Sequence, residues 1–443
     1  MDKLTGLREV ARDVFKEALR AADPVEAVLR HFRLKEGVLH VGGVDYFLNQ
    51  FERIYVVGAG KASARMALAL EQVLSERVTA GLVITKTGYG ERLRRLEVRE
   101  AGHPLPDEAG LRATDELIEI AKRAGEHDLV LCLISGGGSA LLVSPAGNIT
   151  LAELNRATQV LLASGLPIAE VNTVRKHLSR VKGGRLAEWV YPATLATLIL
   201  SDVIGDRLDV VASGPTVPDP TSFDDALAVL TRHGLLGQMP ASIQELLEKG
   251  VKGEWEDTPG PDSEIFQRVQ NIVVGSNTMS LEAAEYTARK KGMNPLILST
   301  TVAGEAREIA QFYLALAREV RRKGRPVAAP ACLIAGGEPT VTLRGRGKGG
   351  RSQELALAVA LGLEEIPGTV FLAAGTDGAD GPTDAAGAIA ATDTLARSRE
   401  RGLDPCGHLL NNDAYPLFQA LNDLIITGPT GTNVMDVHLL LVG

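Results

Sequence analysis

The chain has 443 residues, of which 45% are hydrophobic and 23% are charged, values typical of a globular protein and not of a disordered or collagen-like one. Lysine and arginine number 47 against 55 acidic residues, so the net charge of −8 gives no overall basic field that would attract nucleic acid or anionic lipid. No apolar run reaches the eighteen or so residues of a membrane helix, and the N-terminal residues do not resemble a signal peptide. We therefore expect a cytoplasmic protein with no nucleic-acid partner and no membrane partner.

Short apolar runs rich in β-branched residues alternate with amphipathic stretches along most of the chain. This alternation is typical of parallel sheets covered by helices, so it predicts the α/β class, with two three-layer domains of mostly parallel strands and a Rossmann-like N-terminal domain. The first predicted helix carries apolar residues from Leu4 to Ala18 at helical spacing, and the Thr150 to Glu153 capping box begins another. In chain order, we predict strands at 53–57, 80–85, 128–134, 194–200, 271–274, 295–299, 331–335, 369–373 and 423–427.

A domain boundary is indicated between Gly214 and Glu264, where proline, glycine and acidic residues concentrate around two short helical segments. We accordingly expect an N-terminal domain over residues 1–235 and a C-terminal domain over 236–443.

Five of the predicted strands share one plan, in which the strand opens into a glycine-rich loop that leads to a helix. In open α/β sheets such loops collect at the carboxyl ends of the strands, where ligands bind. The five segments are IYVVGAGKAS, LVLCLISGGGSA, NIVVGSNT, CLIAGGEPT and FLAAGTDGADGPTD.

The first of these loops contains Gly58, Gly60 and Lys61 between a strand and a helix. Its backbone N–H groups and the helix dipole favour an anion such as phosphate, and Lys61 adds a positive charge. The loop is not a Walker A motif, because Tyr55 stands where that motif has its first glycine. It departs from the dinucleotide fingerprint at Ser63. A tight turn with a solvated lysine is the alternative.

The second loop places three consecutive glycines between two serines, so that backbone donors can approach a ligand closely and form an anion-binding nest. A turn without a ligand is the alternative. A serine nucleophile is disfavoured because Leu141 breaks the G-x-S-x-G pattern. The predicted nucleotide-binding residues here are Ser135, Gly136, Gly137, Gly138 and Ser139.

A basic segment follows over residues 172–185, with Lys176 and Arg180 four residues apart on one helical face. One or two of its cations are expected to reach the phosphates, and we assign Lys176 to nucleotide binding. A solvated charged face is the alternative. The cations of the segment are Arg175, Lys176, Arg180, Lys182 and Arg185.

Acidic residues follow two predicted strands. Asp202 and Asp206 come after the strand at 194–200, and Asp377 opens the loop GTDGADGPTD. Carboxylates beside phosphate-binding loops suit Mg²⁺, which takes one or two protein carboxylates together with substrate phosphates and water. Turn-forming aspartates are the alternative in both places.

A second basic loop, RGRGKGGRSQE, leads to a predicted helix that begins near Arg351. We expect it to hold an anion, with Arg351 at the helix start and Glu354 in the first turn orienting it. A flexible surface loop is the alternative.

Taken together, seven segments resemble the glycerate 2-kinases of the two-domain type whose C-terminal half carries the MOFRL domain, here at about 330–440. The resemblance runs from about Glu9 to the C-terminus. The segments are GAGKAS, SGGGSALL, NTVRKHLSRVKGGRLA, LSDVIGDRLDVVASGPTVPDPTSF, GGEPTVTLRGRGKGGRSQELAL, AAGTDGADGPTDAAGA and LIITGPTGTNVMDVHLLL.

The resemblance implies ATP-dependent, Mg²⁺-assisted phosphorylation of the 2-hydroxyl of D-glycerate in a cleft between two α/β domains. It implies that Lys61 and Arg351 are the central basic residues and that Asp202 or Asp206 is the family's acid, of which we assign Asp202 to catalysis. The metal candidates from the residues themselves are Asp202, Asp206 and Asp377. A nicotinamide-dependent hydroxypyruvate reductase and a non-enzymatic nucleotide-binding module are the alternatives. The oligomeric state stays open, a homodimer included.

Overall fold

A computed structural model of the protein describes residues 3–443, and these form two compact units. Residues 24–274 make up one unit, which we call the inserted unit. Residues 3–23 and 275–443 make up the other, which we call the terminal unit. This division differs from the predicted boundary after residue 235. Among the helices of residues 3–443, none combines the length and the apolar character that a membrane-spanning helix needs.

The bounds of the elements are as follows. The helices are α1 (Lys3–Ala21), α2 (Pro24–His31), α3 (Ser63–Leu74), α4 (Glu108–Ala121), α5 (Gly138–Leu141), α6 (Leu151–Ala163), α7 (Ile168–His177), α8 (Arg185–Val190), α9 (Phe223–Arg232), α10 (Ala241–Val251), α11 (Asn277–Lys290), α12 (Ala306–Lys323), α13 (Arg351–Leu363), α14 (Thr394–Glu400), α15 (Pro405–Leu410) and α16 (Ala414–Leu421). The strands are β1 (Phe32–Lys35), β2 (Val38–Val41), β3 (Val44–Phe47), β4 (Arg53–Ala59), β5 (Ala80–Lys86), β6 (Glu97–Ala101), β7 (Asp128–Ser135), β8 (Thr194–Leu200), β9 (Val269–Gly275), β10 (Asn294–Glu305), β11 (Ala331–Thr340), β12 (Thr369–Gly375), β13 (Gly387–Ala391), β14 (Leu424–Ile425) and β15 (Asp436–Val442).

The inserted unit contains a six-stranded sheet in the order β6-β5-β4-β7-β8-β9 and a small antiparallel sheet of β1, β2 and β3. The pairings of β6 with β5, β5 with β4, β4 with β7 and β7 with β8 are all parallel. Strands β4, β5, β7 and β8 are buried on both faces, which is why the sequence shows them as continuous apolar runs, whereas the edge strand β6 is mostly exposed or half-buried. The Rossmann-like prediction is confirmed, and the carboxyl ends of β4, β5, β7 and β8 lie along one edge.

Helices cover both faces of this sheet. On one face, Val57 and Cys132 pack with Leu117 of α4 and Leu186 of α8. Helix α3 packs on β4, β5 and β7 from the other face, toward which alternate strand residues such as Val56 point.

A separate group of helices explains why the inserted unit does not end at residue 235. Phe223 of α9 and Leu247 of α10 belong to one buried cluster, to which α6 and α7 also contribute. Helix α10 lies beyond the predicted boundary, but its apolar side is covered by elements that precede that boundary. The α6 capping box of Thr150 and Glu153 is confirmed.

The terminal unit is built on a six-stranded sheet in the order β10-β11-β15-β12-β13-β14. Of the five strand pairings that the described residues form in this sheet, the pairing of β10 with β11 is parallel and the other four are antiparallel. The prediction of mostly parallel strands is therefore wrong for this sheet. The reason is β15, which returns to the middle of the sheet and runs opposite to both of its neighbours.

The N-terminal helix belongs to this sheet. Val14 and Phe15 of α1 pack with Leu441 on one face, next to α11. Leu314 of α12 and Phe418 of α16 cover the other face. The terminal unit is thus also three-layered, with α1 and α11 on one face of the sheet and α12 and α16 on the other.

The strand–loop–helix plan holds for three of the five predicted segments. Strands β4, β7 and β9 lead through their glycine loops into α3, α5 and α11. The other two predictions are wrong: β11 continues through GGEPT to Thr340, and the loop after β12 returns as the antiparallel strand β13.

Candidate active site

The two glycine-rich loops of the inserted unit lie side by side at the carboxyl edge of its sheet. The backbone N–H of Lys61 donates to Gly136 O at 2.9 Å, and the N–H of Ala62 donates to Ser135 Oγ at 3.0 Å. The hydroxyl of Ser63 donates to Gly60 O at 2.8 Å and so closes the first loop. These bonds fix the shape that the sequence analysis predicted for an anion site.

Glycine is required where these loops meet. Gly60 has a φ of +144°, and a Cβ there would stand 2.1 Å from Ser135 Oγ. A Cβ on Gly136 would stand 2.0 Å from Asp202 Oδ2. Any side chain at these two positions would therefore separate the loops from each other or from the carboxylate.

Lys61 lies just before α3, and its side chain flanks the glycine nest. A Cβ on Gly137 would stand 3.1 Å from both Lys61 Cγ and His103 Nε2, so the ammonium stem and the imidazole lie on the same side of the nest. Burial lowers the pKa of His103 to about 4, and repulsion from Lys61 and Lys86 adds to the effect. The imidazole is therefore neutral at pH 7 and adds no positive charge to that of the Lys61 side chain.

The acidic pair follows β8 in the same unit. The Asp202 carboxylate lies against Gly136, as the close approach above shows. Asp206 ends the short 3₁₀ turn Ile204–Asp206 at a φ of +51°, and its Oδ1 is buried without a hydrogen-bond partner. No group of three or more His, Cys, Asp or Glu side chains within residues 3–443 forms a complete metal cage by itself.

The adjacent cations Lys176 and Arg175 of the basic segment lie in different surroundings. Lys176 is 4% exposed and its Nζ lies 3.4 Å from Asp219 Oδ1, so this ammonium is held in an internal ion pair. Its neighbour Arg175 donates instead to Ser139 O at 3.4 Å, on the glycine loop. Arg175 is therefore the cation of this pair that reaches the glycine loop, and nucleotide binding by Lys176 stays a prediction.

In the terminal unit, Arg351 begins α13 and is held by acids. Its Nε and Nη2 donate to the two carboxylate oxygens of Asp436 at 2.7 and 2.9 Å, and its Nη1 donates to Glu338 Oε1 at 2.6 Å. Burial by itself would lower the pKa of Arg351, but the two carboxylates outweigh it and raise that pKa. The two parallel hydrogen bonds to Asp436 fix the orientation of the Arg351 guanidinium, because a bidentate pair constrains the plane of both groups.

The aspartates of the loop after β12 serve different purposes. Asp380 accepts hydrogen bonds from the backbone N–H groups of Ser352 and Gln353 at the start of α13, and burial together with the Asp436 charge raises its pKa to about 7. Asp377 lies elsewhere in the loop, near the other acid of this region. A Cβ on Gly375 would stand 3.3 Å from both Asp377 Oδ1 and Asp436 Oδ1, so the two carboxylates lie on the same side of Gly375.

Sequence reasoning did not find two features of the inserted-unit site. His103 was missed because it follows the edge strand β6, which has no continuous apolar run. Ser213 was missed as well: its hydroxyl lies 2.6 Å from Ser139 Oγ and donates to Asn172 Oδ1 at 3.2 Å. Ala212 and Ser213 have φ values of +50° and +62°, a conformation that costs free energy outside glycine and is found mostly at functional sites.

Comparisons with known proteins show which family the chain belongs to. A family model described as "Domain of unknown function (DUF4147)" matches residues 10–248, and the model of the "MOFRL family" matches residues 331–436. A "Glycerate 2-kinase" of Pyrococcus horikoshii is 41% identical over 98% of this chain and 97% of that protein. The chain belongs to the glycerate kinase family.

Other members of the glycerate kinase family match over similar lengths. A "D-glycerate 2-kinase" of Thermotoga maritima is 41% identical over 98% of each chain. A solved structure of a glycerate kinase of the same organism has a TM-score of 0.88 at 40% identity and covers 99% of both chains. A protein of Agrobacterium vitis that is 42% identical over 98% of this chain and 94% of its own length bears the name "Putative hydroxypyruvate reductase".

Proposed function

We propose that the protein transfers the γ-phosphoryl group of ATP to the 2-hydroxyl of D-glycerate, with Mg²⁺, to give 2-phospho-D-glycerate and ADP. The observation that carries the proposal is the pair of hydrogen-bonded glycine loops with Lys61 beside them, in a chain about 40% identical over nearly its full length to proteins named glycerate 2-kinase.

This geometry suits phosphoryl transfer because that reaction depends on positioning and charge compensation more than on covalent catalysis by the protein. The glycine nest at Gly136 to Gly138 offers backbone donors to phosphate oxygens, and Lys61 offers a positive charge beside them. In the step itself, the 2-hydroxyl oxygen forms a bond to the γ-phosphorus. The bond between that phosphorus and the β,γ-bridging oxygen breaks, its electron pair stays on that oxygen as ADP departs, and the hydroxyl proton is released to water.

The residues present also fit a magnesium ion. Mg²⁺ prefers oxygen ligands, and Asp202 and Asp206 supply carboxylates at the edge of the sheet, one of them with a buried oxygen that makes no hydrogen bond within the described residues. These two aspartates would hold the ion, which when bound neutralises charge on the phosphates. Arg351 and Asp377 remain further candidates, for catalysis and for the metal respectively.

The reductase alternative is less well supported by the same loops. A dinucleotide site needs a third glycine where Ser63 stands, and an acid after the next strand, where β5 ends at Lys86. The binding-module alternative differs from the kinase only in lacking turnover.

One set of assays separates the three functions. Purified protein is incubated with ATP, Mg²⁺ and D-glycerate, and in parallel with NADH and hydroxypyruvate, with glycerate omitted as the control for ATP hydrolysis. We expect ADP formation that depends on glycerate, and a 2-phosphoglycerate signal in the phosphorus NMR spectrum. A 3-phosphoglycerate signal would overturn the regiochemistry, NADH oxidation would favour the reductase, and nucleotide binding without turnover would leave a binding module.

A further inference from the structure

Two cations of the basic segment, Lys182 and Arg175, lie near the Ser139 end of the glycine loop without an acid paired to either of them. Lys182 is 4% exposed and its Nζ donates to Leu142 O at 2.6 Å. Arg175 donates to Ser139 O and is partly exposed. Within residues 3–443 the hydrogen-bond partners of these two side chains are neutral carbonyl oxygens, and neither cation forms an ion pair with a carboxylate.

This arrangement is costly for the protein without a ligand. Removing a charge from water costs several kcal/mol unless an opposite charge or good hydrogen bonds compensate it. Burial lowers the pKa of Lys182 well below its usual value, with repulsion from Arg175 as a further cause, and burial also lowers the pKa of Arg175. An anion bound beside the two cations would offset this cost by favouring their charged forms.

The same segment shows what a purely internal cation looks like. Lys176 is as buried as Lys182, but Asp219 lies within 3.4 Å of its ammonium. The chain therefore supplies a carboxylate to Lys176 and none to Arg175 or Lys182, whose side chains bond carbonyl oxygens in the glycine loop and just after it.

The surroundings of Arg175 and Lys182 also point to a ligand. Ser139, which Arg175 contacts, is the last residue of the SGGGS nest, and its hydroxyl lies 2.6 Å from that of Ser213. Ser213 lies in the stretch with positive φ angles next to this loop. The cation pair thus adjoins donors of the kind that bind anionic oxygens.

We propose that Arg175 and Lys182 form an anion subsite that holds one charged group of a reactant, the carboxylate of glycerate or a phosphate of the nucleotide. The choice of these two reactants rests on the proposed kinase function. Lysine and arginine bind both anions, and the arginine fork fits either in a bidentate manner. The competing explanation is that the two cations do no more than cap the carbonyl oxygens at the end of α5.

The test measures binding directly. Calorimetric titrations with D-glycerate, with MgADP and with inorganic phosphate compare the parent with R175Q and K182M. The matched control is R180Q, which removes an arginine of the same segment that is 39% exposed and lies 4.0 Å from Asp115. We expect R175Q and K182M each to weaken binding of one reactant at least about tenfold, equal to 1.4 kcal/mol, and R180Q to leave it unchanged.

The outcomes separate the sources of the anion. Weaker binding of D-glycerate alone places the carboxylate on the pair, and weaker binding of MgADP alone places a phosphate there. Unchanged affinities in both variants, or a parent that binds none of the three probes, would overturn the proposal. So would a fall in melting temperature without a loss of ligand-induced stabilisation, which is the signature of a helix cap. K182M gives an independent answer if R175Q does not fold.

Failure of the proposed function gives a different result. A parent that binds D-glycerate or MgADP through Arg175 and yet transfers no phosphoryl group would refute the kinase activity and leave the subsite in place.

Discussion

Replacing Arg351 by methionine should destabilise the terminal unit, because it strands a buried carboxylate. The Asp436 side chain is 1% exposed and receives two hydrogen bonds from the guanidinium, whereas the Glu338 side chain is 46% exposed. Leaving one charge of a buried pair alone costs about 3–5 kcal/mol, and an exposed pair contributes about 1 kcal/mol or less. Since the Arg351 side chain is itself 32% exposed, we expect the free energy of unfolding to fall by about 3 kcal/mol, the lower end of this range.

The double variant R351M/D436N tests the cause of that loss. Asparagine keeps the shape of Asp436 and removes its charge, so most of the stability lost in R351M should return. Urea denaturation followed by circular dichroism gives the free energies of unfolding of the parent, the two single variants and the double variant. R346M, which removes an exposed arginine from the same loop, is the matched control and should stay within about 0.5 kcal/mol of the parent.

Two results would refute this reasoning. One is a loss below about 1 kcal/mol in R351M, which would mean that water reaches Asp436. The other is additivity of the two single changes, which would mean that the residues do not interact. R351K keeps the charge and loses the fork, and we expect its kcat/KM to fall at least about tenfold because one charge-assisted hydrogen bond is lost. If R351K also loses several kcal/mol of stability, the kinetic loss reflects the fold rather than the reaction.

The remaining predictions concern catalysis, the metal and pH. K61M should lower kcat by about 10²–10³ in a variant that melts like the parent, since Lys61 compensates charge on the transferring phosphoryl group, and unchanged kcat would make it a solvated turn residue. D202N or D206N should raise the Mg²⁺ concentration that gives half-maximal rate, and parental Mg²⁺ titrations for both would move the metal to Asp377. Burial lowers the pKa of His438 to about 3, with repulsion from Arg351 as a second cause. Because the unfolded chain then binds the proton more readily, stability falls as pH drops below about 6.5, and by pH 4.5 His438 alone should cost about 3 kcal/mol. The loss between pH 7 and pH 4.5 should be smaller by about that amount in H438Q, and equal losses in parent and variant would contradict the assignment.

The sequence predicted β4, β5, β7 and β8 of the inserted sheet well because these four strands are buried on both faces, whereas the edge strand β6, which is mostly exposed or half-buried, was missed. Strand β8 begins and ends where the apolar run at 194–200 does. Strand β15 was missed, although its residues are also buried. Its place between β11 and β12 is set by hydrogen bonds to residues far away in the chain, which local periodicity does not reveal.

The same limit applies to the candidate site. Glycine loops after strands are local features, and the structure brings GAGKAS and SGGGS together as expected. The partner of a charged side chain is not a local feature. Lys176 and Arg175 are adjacent in the sequence, and only the fold shows that Asp219, 43 residues away, pairs with the first and leaves the second for the loop.

The packing of α1 in the terminal unit has a consequence for synthesis on the ribosome. Helix α1 is translated first, but the strands that cover Val14 and Phe15 are made last, after the whole inserted unit. The nascent helix must therefore keep its apolar face unpaired while residues 24–274 emerge and fold. A C-terminal fragment that begins at residue 275 would expose the face of its sheet around Leu441 and should aggregate, whereas a circular permutant that joins residue 443 to residue 3 by a short linker and opens the chain near residue 24 would make α1 contiguous with its sheet.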